Sequence, residues 1–224
     1  MIKNISNLGD AALYCDFGTE VNKQINSEVI KYFNNIRKKN IKGVNNLTPS
    51  YNKLIISYDL KVTNFKEVKS EIEKINESKT QKITNKNIEI PVCCDTSFSL
   101  DIKRLEKKLS LNKDEILENF FKQEFFCYMT GFIAGMPFLG DLDEKMRAQR
   151  LETPRVKVPK GSVGMTEQFA NIYTFESPGG WNIIGNTPID VFESSKEKEP
   201  NLINPGDTVK FKQISLEEYK NYNE

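Results

Sequence analysis

The chain has 224 residues, enough for one large domain or two smaller ones that bury a core without disulfides or metals. Its 32 basic and 31 acidic side chains nearly cancel, so no global basic field exists to attract nucleic acid or anionic lipid. The sequence has no apolar run of about 18 residues and no signal-like N-terminal stretch, which predicts a cytoplasmic protein that binds neither membrane nor nucleic acid.

Histidine and cysteine usage narrows the chemistry further. The chain contains no histidine, which removes the commonest metal ligand and the commonest general base near neutral pH. Its four cysteines, Cys15, Cys93, Cys94 and Cys127, form no CxxC pair, and the adjacent Cys93 and Cys94 are poorly placed to share a disulfide or a zinc ion. We therefore predict small buried thiols and no metal site.

The first 95 residues alternate between strand-like and helix-like patterns. Strand-like runs lie at 11–17, 53–60 and 87–92, and apolar residues recur at helical spacing over 21–41 and 64–75. This alternation predicts an N-terminal α/β sandwich domain that ends at residue 95.

The pattern changes character after this domain. Two amphipathic helices are predicted between 99 and 121, the second opening on Asn112 with Glu115 three residues later, and we interpret 96–124 as a helical bridge. From residue 125 to 224, Gly and Pro separate short β-type runs at regular intervals, which predicts a closed or sandwiched β domain. These runs are VKVP, NIYTF, WNIIG, IDVF and TVKFK. The tail from Ser215 is either a last helical turn or frayed chain.

The segment GFIAGMPFLG at 131–140 is the first candidate site segment. Three glycines and a proline surround Phe132 and Phe138, a composition typical of irregular backbone fixed by large apolar anchors. Such loops often line pockets, here through Gly135, Pro137 and Phe138, although a structural turn explains the same composition. Neither a P-loop nor a GxGxxG pattern is present.

The second candidate segment is TPRVKVPKGSVG at 153–164. It sets Arg155 between two prolines, with Lys157, Lys160 and Ser162 close by in sequence. A guanidinium preorganised in this way suits a carboxylate or a phosphate. An ordinary solvated basic strand is the alternative explanation.

The third candidate segment, SPGGW, places the only tryptophan directly after two glycines. Gly179 and Gly180 allow a ligand or a partner backbone to approach the Trp181 indole, and a buried core tryptophan explains the pattern equally well. Ser162 and Ser177 lie outside any GxSxG elbow and have no histidine to activate them, so a serine-hydrolase mechanism is not predicted. No catalytic residue is assigned.

Together with four other segments, these three form an ordered series of seven motifs that resembles the family of 5-oxoprolinase B subunits, also known as allophanate hydrolase subunit 1 or the Kip-type kinase inhibitor family. The motifs are LGDAALYCDFG, PSYNKLIISYD, IPVCCD, GFIAGMPFLG, TPRVKVPKGSVG, SPGGWNIIGNTP and NPGDTVKF. The resemblance implies an α+β fold in which an N-terminal α/β domain is followed by a C-terminal cyclophilin-like β-barrel domain.

The resemblance also implies a function. Members of that family work with 5-oxoprolinase subunits A and C to hydrolyse 5-oxoproline to L-glutamate with ATP, so we expect one subunit of a heteromeric hydrolase. ATP is expected to bind at least partly on a partner, because no phosphate loop is visible. The Kip-type name implies an alternative, a regulatory protein that binds and inhibits a sensor histidine kinase. The candidate substrate-binding residues are Gly135, Pro137, Phe138, Arg155, Ser162, Gly179, Gly180, Trp181 and Thr187.

Several positions depart from the family pattern, including Ala134 in place of a proline and Met136 in place of a phenylalanine. Phe120 stands where the family usually has a histidine, Phe169 stands where it has a glutamine, and Asn171 stands where it has a glycine. An aromatic ring can neither transfer protons nor accept a hydrogen bond from an amide in the way those groups do. We therefore expect a diverged member, in which membership of the complex is better supported than catalytic competence.

Overall fold

A computed structural model describes residues 1–75, 85–196 and 198–222. The chain divides into two units, Met1–Thr84 and Asn85–Glu224, and a hydrophobic core is found in each. The result is a mixed α/β chain that contains a closed β-barrel.

An antiparallel sheet and two helices form the first unit. The sheet has the order β1-β2-β4-β3, with β1 at Asn4–Asn7, β2 at Ala12–Asp16, β3 at Val44–Pro49 and β4 at Lys53–Tyr58. The helices are α1 at Lys23–Lys39 and α2 at Phe65–Glu73. Buried residues alternate along β2 and β4 and pack against one stripe of each helix, so the expected strand and helix periods share one core.

Local sequence signals explain where these elements lie. Asn22 and Asn64 cap the two helices by accepting hydrogen bonds from the backbone N–H groups of Ile25 and Glu67. The structure confirms the predicted strands at 11–17 and 53–60 and both predicted helices. Sequence patterning does not predict the outer strands β1 and β3, because their segments NISN and VNNLTP are mostly polar.

The second unit is dominated by strands. They are β5 Asn87–Cys93, β6 Glu124–Thr130, β7 Pro137–Gly140, β8 Arg155–Val158, β9 Ser162–Thr166, β10 Phe169–Ile172, β11 Ser177–Gly179, β12 Asn182–Asn186 and β13 Thr208–Ile214. Among the described residues, seven strands close into a barrel in the order β10-β7-β6-β13-β5-β12-β9. The remaining two strands, β8 and β11, pair only with each other, and we call this two-stranded sheet the ribbon.

The helices of the second unit are short. They are α3 Ile102–Leu109, α4 Lys113–Phe121 and α5 Leu216–Asn221, with a 3-10 helix at Glu144–Met146. The predicted capping box is confirmed, because Asn112 and Glu115 exchange hydrogen bonds at the start of α4. The tail forms α5, capped by Ser215 in the same way.

Strand β5 lies in the barrel and not in the N-terminal domain to which the sequence pattern assigned it. It runs parallel to β13 over seven residue pairs, from Asn87 beside Thr208 to Cys93 beside Ile214. The boundary between the units therefore precedes β5, whereas the sequence pattern placed it after residue 95. A local pattern could not show this, because the partner strand lies about 120 residues further along the chain.

The predicted helical bridge is part of the barrel unit as well. Helices α3 and α4 bury Leu105, Ile116 and Phe120 in the same core as the strand residues Phe125 and Phe211. The amphipathic pattern of these helices therefore reflects packing onto the barrel, which is a structural role different from linking two halves.

One predicted β run is not a strand. In the segment IDVF, Phe192 makes only an isolated bridge with Asn201. Val191 is buried, and its carbonyl accepts a hydrogen bond from the Leu202 N–H at 3.0 Å. These contacts hold the segment in place as part of a loop.

All four cysteines are free and buried, which confirms the expectation of buried thiols. Burial raises the pKa of Cys15 and of Cys94 to about 12, and it raises the pKa of Cys127 as well. These thiols stay protonated near neutral pH, so they are weak nucleophiles.

Phe120→Ala is expected to lower the free energy of unfolding by about 3–5 kcal/mol. Phe120 is fully buried, and its ring centroid lies 5.1 Å from those of both Phe125 and Phe211. Urea unfolding followed by Trp181 fluorescence measures the loss. Phe121 is only partly buried, so Phe121→Ala is the matched control and should cost less than half as much. Equal losses would contradict a central role for Phe120 in the core.

Candidate functional site

The ribbon packs against an outer face of the barrel. Along β10, Ala170 and Ile172 belong to the barrel core, so the intervening Asn171 lies on the opposite face. A second, small apolar cluster forms on that side from Val158 of the ribbon together with Met136, Tyr173 and Ile183. The candidate site is therefore on the outside of the barrel, where the ribbon meets β10 and β12.

Arg155 already has a carboxylate partner within the chain. Its Nη2 lies 2.6 Å from Oδ1 of Asp101, whose side chain is 5% exposed. The other oxygen of Asp101 accepts a hydrogen bond from the Ile183 N–H at 2.7 Å, and the Asp101 N–H donates to the Ile183 carbonyl at 3.0 Å. This pairing fixes the guanidinium beside the barrel, while Nη1 of Arg155 is buried and has no hydrogen-bond partner among the residues that the structure describes.

Tyr173 lies at the centre of the polar residues beneath the ribbon. Gly179 pairs with Arg155 across the ribbon, and a Cβ atom at Gly179 would lie only 2.2 Å from the Tyr173 hydroxyl. Burial raises the pKa of Tyr173, against hydrogen bonds from the Asn171 amide and the Trp181 backbone and the charge of Arg155. The hydroxyl therefore stays protonated at neutral pH.

Asn171 is fully buried beside this hydroxyl. Its amide nitrogen lies 4.0 Å from the Met136 sulfur, and its Oδ1 accepts no hydrogen bond. A Cβ atom at Gly164 would lie 2.7 Å from this oxygen and 3.1 Å from the Trp181 Cβ, so the oxygen is near the base of the indole. We call Asp101, Arg155, Asn171 and Tyr173 the Tyr173 cluster.

Two aromatic residues from the candidate segments pack beside the cluster. Phe138 and Trp181 meet edge to face, with ring centroids 5.6 Å apart and an interplanar angle of 80°. Both side chains are half-buried, so the structure gives Trp181 a packing role and still leaves part of it accessible. Gly180 follows Gly179 without a close contact, because a Cβ atom there would have its nearest neighbour at 3.6 Å.

Close contact between Gly135 and the Phe192 ring constrains the backbone of the 131–140 segment. Gly135 has a φ of +71°, and a Cβ atom there would lie 2.3 Å from the Phe192 ring, so only glycine fits. Pro137 is buried at the first position of β7. Phe132 is 71% exposed and also has a left-handed φ of +69°.

Ser162, at the start of β9, and Thr187 lie next to the turn at 159–161, and Gly161 of that turn also pairs through its backbone with Tyr173. The Thr187 N–H donates to the Gly161 carbonyl at 2.8 Å, and the Asn186 side chain donates to the Lys160 carbonyl at 2.9 Å. Ser162 is buried at the start of β9, opposite Asn186 on β12. The structure thus brings together Phe138, Arg155, Gly179 and Trp181, while Ser162 and Thr187 form part of a neighbouring turn.

Phe120 and Phe169 both have packing roles. Phe120 lies in the barrel core, and Phe169 meets the Tyr128 ring edge to face at 5.8 Å. The Tyr128 hydroxyl donates to Asp141 at 2.7 Å, and burial is the main cause that raises its pKa. At both positions an aromatic ring makes packing contacts in place of the polar side chain of the family pattern.

Sequence reasoning missed the importance of Asp101 and Tyr173. Asp101 stands between Leu100 and Ile102 at the start of a predicted amphipathic helix, where an acidic residue looks like an ordinary first-turn charge. Its side chain makes no capping hydrogen bond and reaches Arg155 instead. Tyr173, within NIYTF, looks like one more strand residue, and no local signal distinguishes it.

The other basic side chains of the 153–164 segment also have acidic partners. Lys157 lies 2.8 Å from Glu176 and Lys160 lies 2.6 Å from Asp190, with all four side chains largely exposed. Such exposed pairs contribute little to stability. They differ from the Arg155 pair, which is shielded from solvent on the Asp101 side.

Residues 1–75, 85–196 and 198–222 contain no helix that is long and apolar enough to cross a membrane. Within the same ranges, no group of three or more Cys, Asp or Glu side chains could hold a metal ion. Open clefts occur in the first unit, and one of about 750 Å³ is lined by Met1–Ile5 and by residues of α2 and the segment after it, none of which is a candidate residue.

Comparisons with known proteins find matches over nearly the whole chain. The family model described as carboxyltransferase domain, subdomains C and D, matches residues 3–203. A protein of Bacillus subtilis strain 168, named as the B subunit of 5-oxoprolinase, is 32% identical over 98% of this chain and 96% of its own length. The chain belongs to the family of 5-oxoprolinase B subunits.

Two solved structures share this architecture within longer chains. The structure of TTHA0988 superposes with a TM-score of 0.82 at 26% identity, over 92% of this chain. The Kluyveromyces lactis urea amidolyase gives a TM-score of 0.78 at 19% identity over 96% of this chain, which shows the shared fold alone. The chain spans only 40% of TTHA0988 and 15% of the urea amidolyase.

Arg155→Met is expected to lower the free energy of unfolding by about 2–4 kcal/mol, because it leaves the buried Asp101 carboxylate without its cation. Lys157→Met, on the same strand, is the matched control and should cost no more than about 0.5 kcal/mol. Urea unfolding of Arg155→Met, Asp101→Asn and the double variant Asp101→Asn/Arg155→Met measures the coupling. A double variant that loses the full sum of the two single losses would contradict a direct interaction between Asp101 and Arg155.

Gly179→Ala and Gly180→Ala are expected to behave differently although the residues are adjacent. A methyl group at Gly179 meets the Tyr173 hydroxyl at 2.2 Å and should cost about 1–3 kcal/mol of unfolding free energy. The methyl group at Gly180 finds ordinary contact distances and should change stability by about 0.5 kcal/mol or less. Thermal unfolding of the two variants tests the close approach, and equal melting temperatures would disprove it.

Proposed function

We propose that the chain is the B subunit of an ATP-dependent amide-hydrolysing complex that converts 5-oxoproline to L-glutamate. The observation that carries this proposal is the match, nearly end to end in both proteins, with the Bacillus subtilis relative named for that role in 5-oxoprolinase. The fold alone would not support a substrate, because one fold serves many reactions.

Subunits A and C of such a complex are the proposed partners. In TTHA0988 and in the urea amidolyase, a unit like this chain occupies a minor part of a longer polypeptide. Separate partner chains would take the place of the additional sequence. We place the complex in the cytoplasm, and we retain the description of the two units as an α/β sandwich and a cyclophilin-like barrel within the same proposal.

ATP is proposed to bind on a partner subunit. In the 153–164 segment, Arg155, Lys157 and Lys160 each contact a carboxylate of the same chain. A triphosphate would have to displace these acidic groups or lie close to them, which is unfavourable. The residues of this segment therefore do not fit ATP, and we assign it no step on this chain.

The contribution of this chain would be recognition and positioning of the small substrate. The Tyr173 cluster and the Phe138–Trp181 pair combine buried polar groups with aromatic surface, which is typical of small-molecule sites. No observation favours the alternative of a sensor-histidine-kinase inhibitor, so it is not pursued.

Reconstitution tests the function. The chain is mixed with subunits A and C from the same organism, 5-oxoproline and ATP, and released glutamate is measured. We expect glutamate release that requires this chain and ATP together. The Bacillus subtilis relative, added to the same partners, is the control for their competence. Activity with that control and none with this chain would overturn the proposal.

A further inference from the structure

The C-terminal helix α5 contacts the barrel through Tyr219. The Tyr219 hydroxyl donates a hydrogen bond to Oδ1 of Asn186 at 2.8 Å, and the ring packs against Phe98 with centroids 4.6 Å apart. Burial raises the pKa of Tyr219, so the hydroxyl keeps its proton near neutral pH and remains a donor. None of the six residues of α5, all of which the structure describes, is buried. Tyr219 therefore gives this helix a directed link to the barrel although the helix adds no side chain to the core.

Asn186 connects the tail to a turn through the two ends of its side-chain amide. It is 5% exposed at the end of β12. Its Nδ2 donates to the Lys160 carbonyl at 2.9 Å, while its Oδ1 accepts from Tyr219. Rotation of the amide by half a turn would bring Oδ1 against the Lys160 carbonyl, which is also an acceptor, so both hydrogen bonds require the same orientation. Removal of the Tyr219 hydroxyl takes away one of the two bonds that hold this buried amide.

The turn at 159–161 joins strand β8 of the ribbon to strand β9 of the barrel. Gly161 has a φ of +79°, and a Cβ atom there would lie 2.7 Å from Oδ1 of Asn186, the same oxygen that Tyr219 contacts. The Gly161 N–H donates to the Tyr173 carbonyl at 2.7 Å, and the Gly161 carbonyl accepts from the Thr187 N–H at 2.8 Å. The position of the Asn186 amide therefore acts directly on the backbone of this turn.

The ribbon depends on this turn because few other contacts fix it. Among the described residues, β8 and β11 pair with no barrel strand. The ribbon is held to the barrel by the contact of Arg155 with Asp101 at 2.6 Å and by Val158, which packs into the small apolar cluster. Since β8 is only four residues long, a shift of the turn that follows Val158 moves the strand as far as Arg155.

We propose that Tyr219 is a positioning residue, which holds the Asn186 amide against the 159–161 turn and so fixes the end of the ribbon that carries Arg155. The positioning of the ribbon rests on contacts within this chain. Its consequence for the reaction rests on the proposed function, in which this chain recognises the small substrate.

Hydrogen exchange followed by mass spectrometry tests the positioning. Tyr219→Phe removes the hydroxyl and keeps the ring that packs on Phe98. We expect amide exchange at 158–162 and in β11 to become about three- to tenfold faster, while exchange in β6 and β7 stays as in the parent. Tyr222, 55% exposed at the end of the same helix, gives the matched control Tyr222→Phe, which should behave like the parent. Parent-like exchange at 158–162 in Tyr219→Phe, or an equal increase in β6 and β7, would overturn the proposal.

A double variant tests whether Tyr219 acts through Asn186. Asn186→Ala should speed exchange at 158–162 at least as much as Tyr219→Phe, and Tyr219→Phe/Asn186→Ala should exchange no faster than Asn186→Ala alone. Circular dichroism confirms that each variant is folded, and Asn186→Ser takes the place of Asn186→Ala if that variant does not fold. Effects of the two substitutions that multiply in the double variant would show that the tail acts on the turn by another route, against the proposal.

The reconstituted complex separates this inference from the proposed function. There, Tyr219→Phe should raise KM for 5-oxoproline about three- to tenfold with a smaller change in kcat, and Tyr222→Phe should leave both unchanged. An active complex with unchanged KM would refute the effect on substrate binding and leave the function intact. No activity with the parent chain, when the Bacillus subtilis control is active, would refute the function, and the exchange measurement would still decide whether Tyr219 positions the ribbon.

Discussion

The parallel pairing of β5 with β13 is the constraint on which the second unit depends. These strands come from opposite ends of the unit, and their seven-residue register closes the ring of strands. Asp207, buried just before β13, reinforces the closure because its carboxylate accepts hydrogen bonds from the backbone N–H groups of Lys86 and Asn204, each at 2.8 Å. Every strand that carries a candidate site residue takes its position from this closed ladder or from packing onto it.

A closed barrel of this size has consequences for where a ligand can bind. Small barrels have interiors just wide enough to be filled by side chains. Here rings such as Phe120, Phe125 and Phe211 fill the interior, with centroids 5.1–5.4 Å apart. The candidate residues Arg155 and Gly179 lie outside it, on the ribbon that covers one outer face. The glycines of the ribbon and of β9 allow this cover to approach closely.

Local sequence patterns predict the helices and strands that have clear periodicity. They do not predict the pairing of strands that lie far apart in the chain. The α1 and α2 helices and the β2 and β4 strands have clear periodicity, and each was predicted. The segment NIEIPVC of β5 has the same pattern in either unit, so only its pairing with β13 shows where it belongs. In the site, Arg155 and the Gly179 turn stand out through composition. Asp101 and Tyr173 do not, because a single polar residue in an apolar segment gains meaning only from its three-dimensional neighbours.

Arg155 shows how such neighbours change the chemistry of a predicted residue. As an isolated basic side chain it would favour any carboxylate or phosphate, but its strongest partner is Asp101 of the same chain. The pair costs less to bury than a lone guanidinium would, and it leaves Nη1 of Arg155 buried with no hydrogen-bond partner among the described residues. Because Asp101 already neutralises the guanidinium, a further anion would gain little net attraction there.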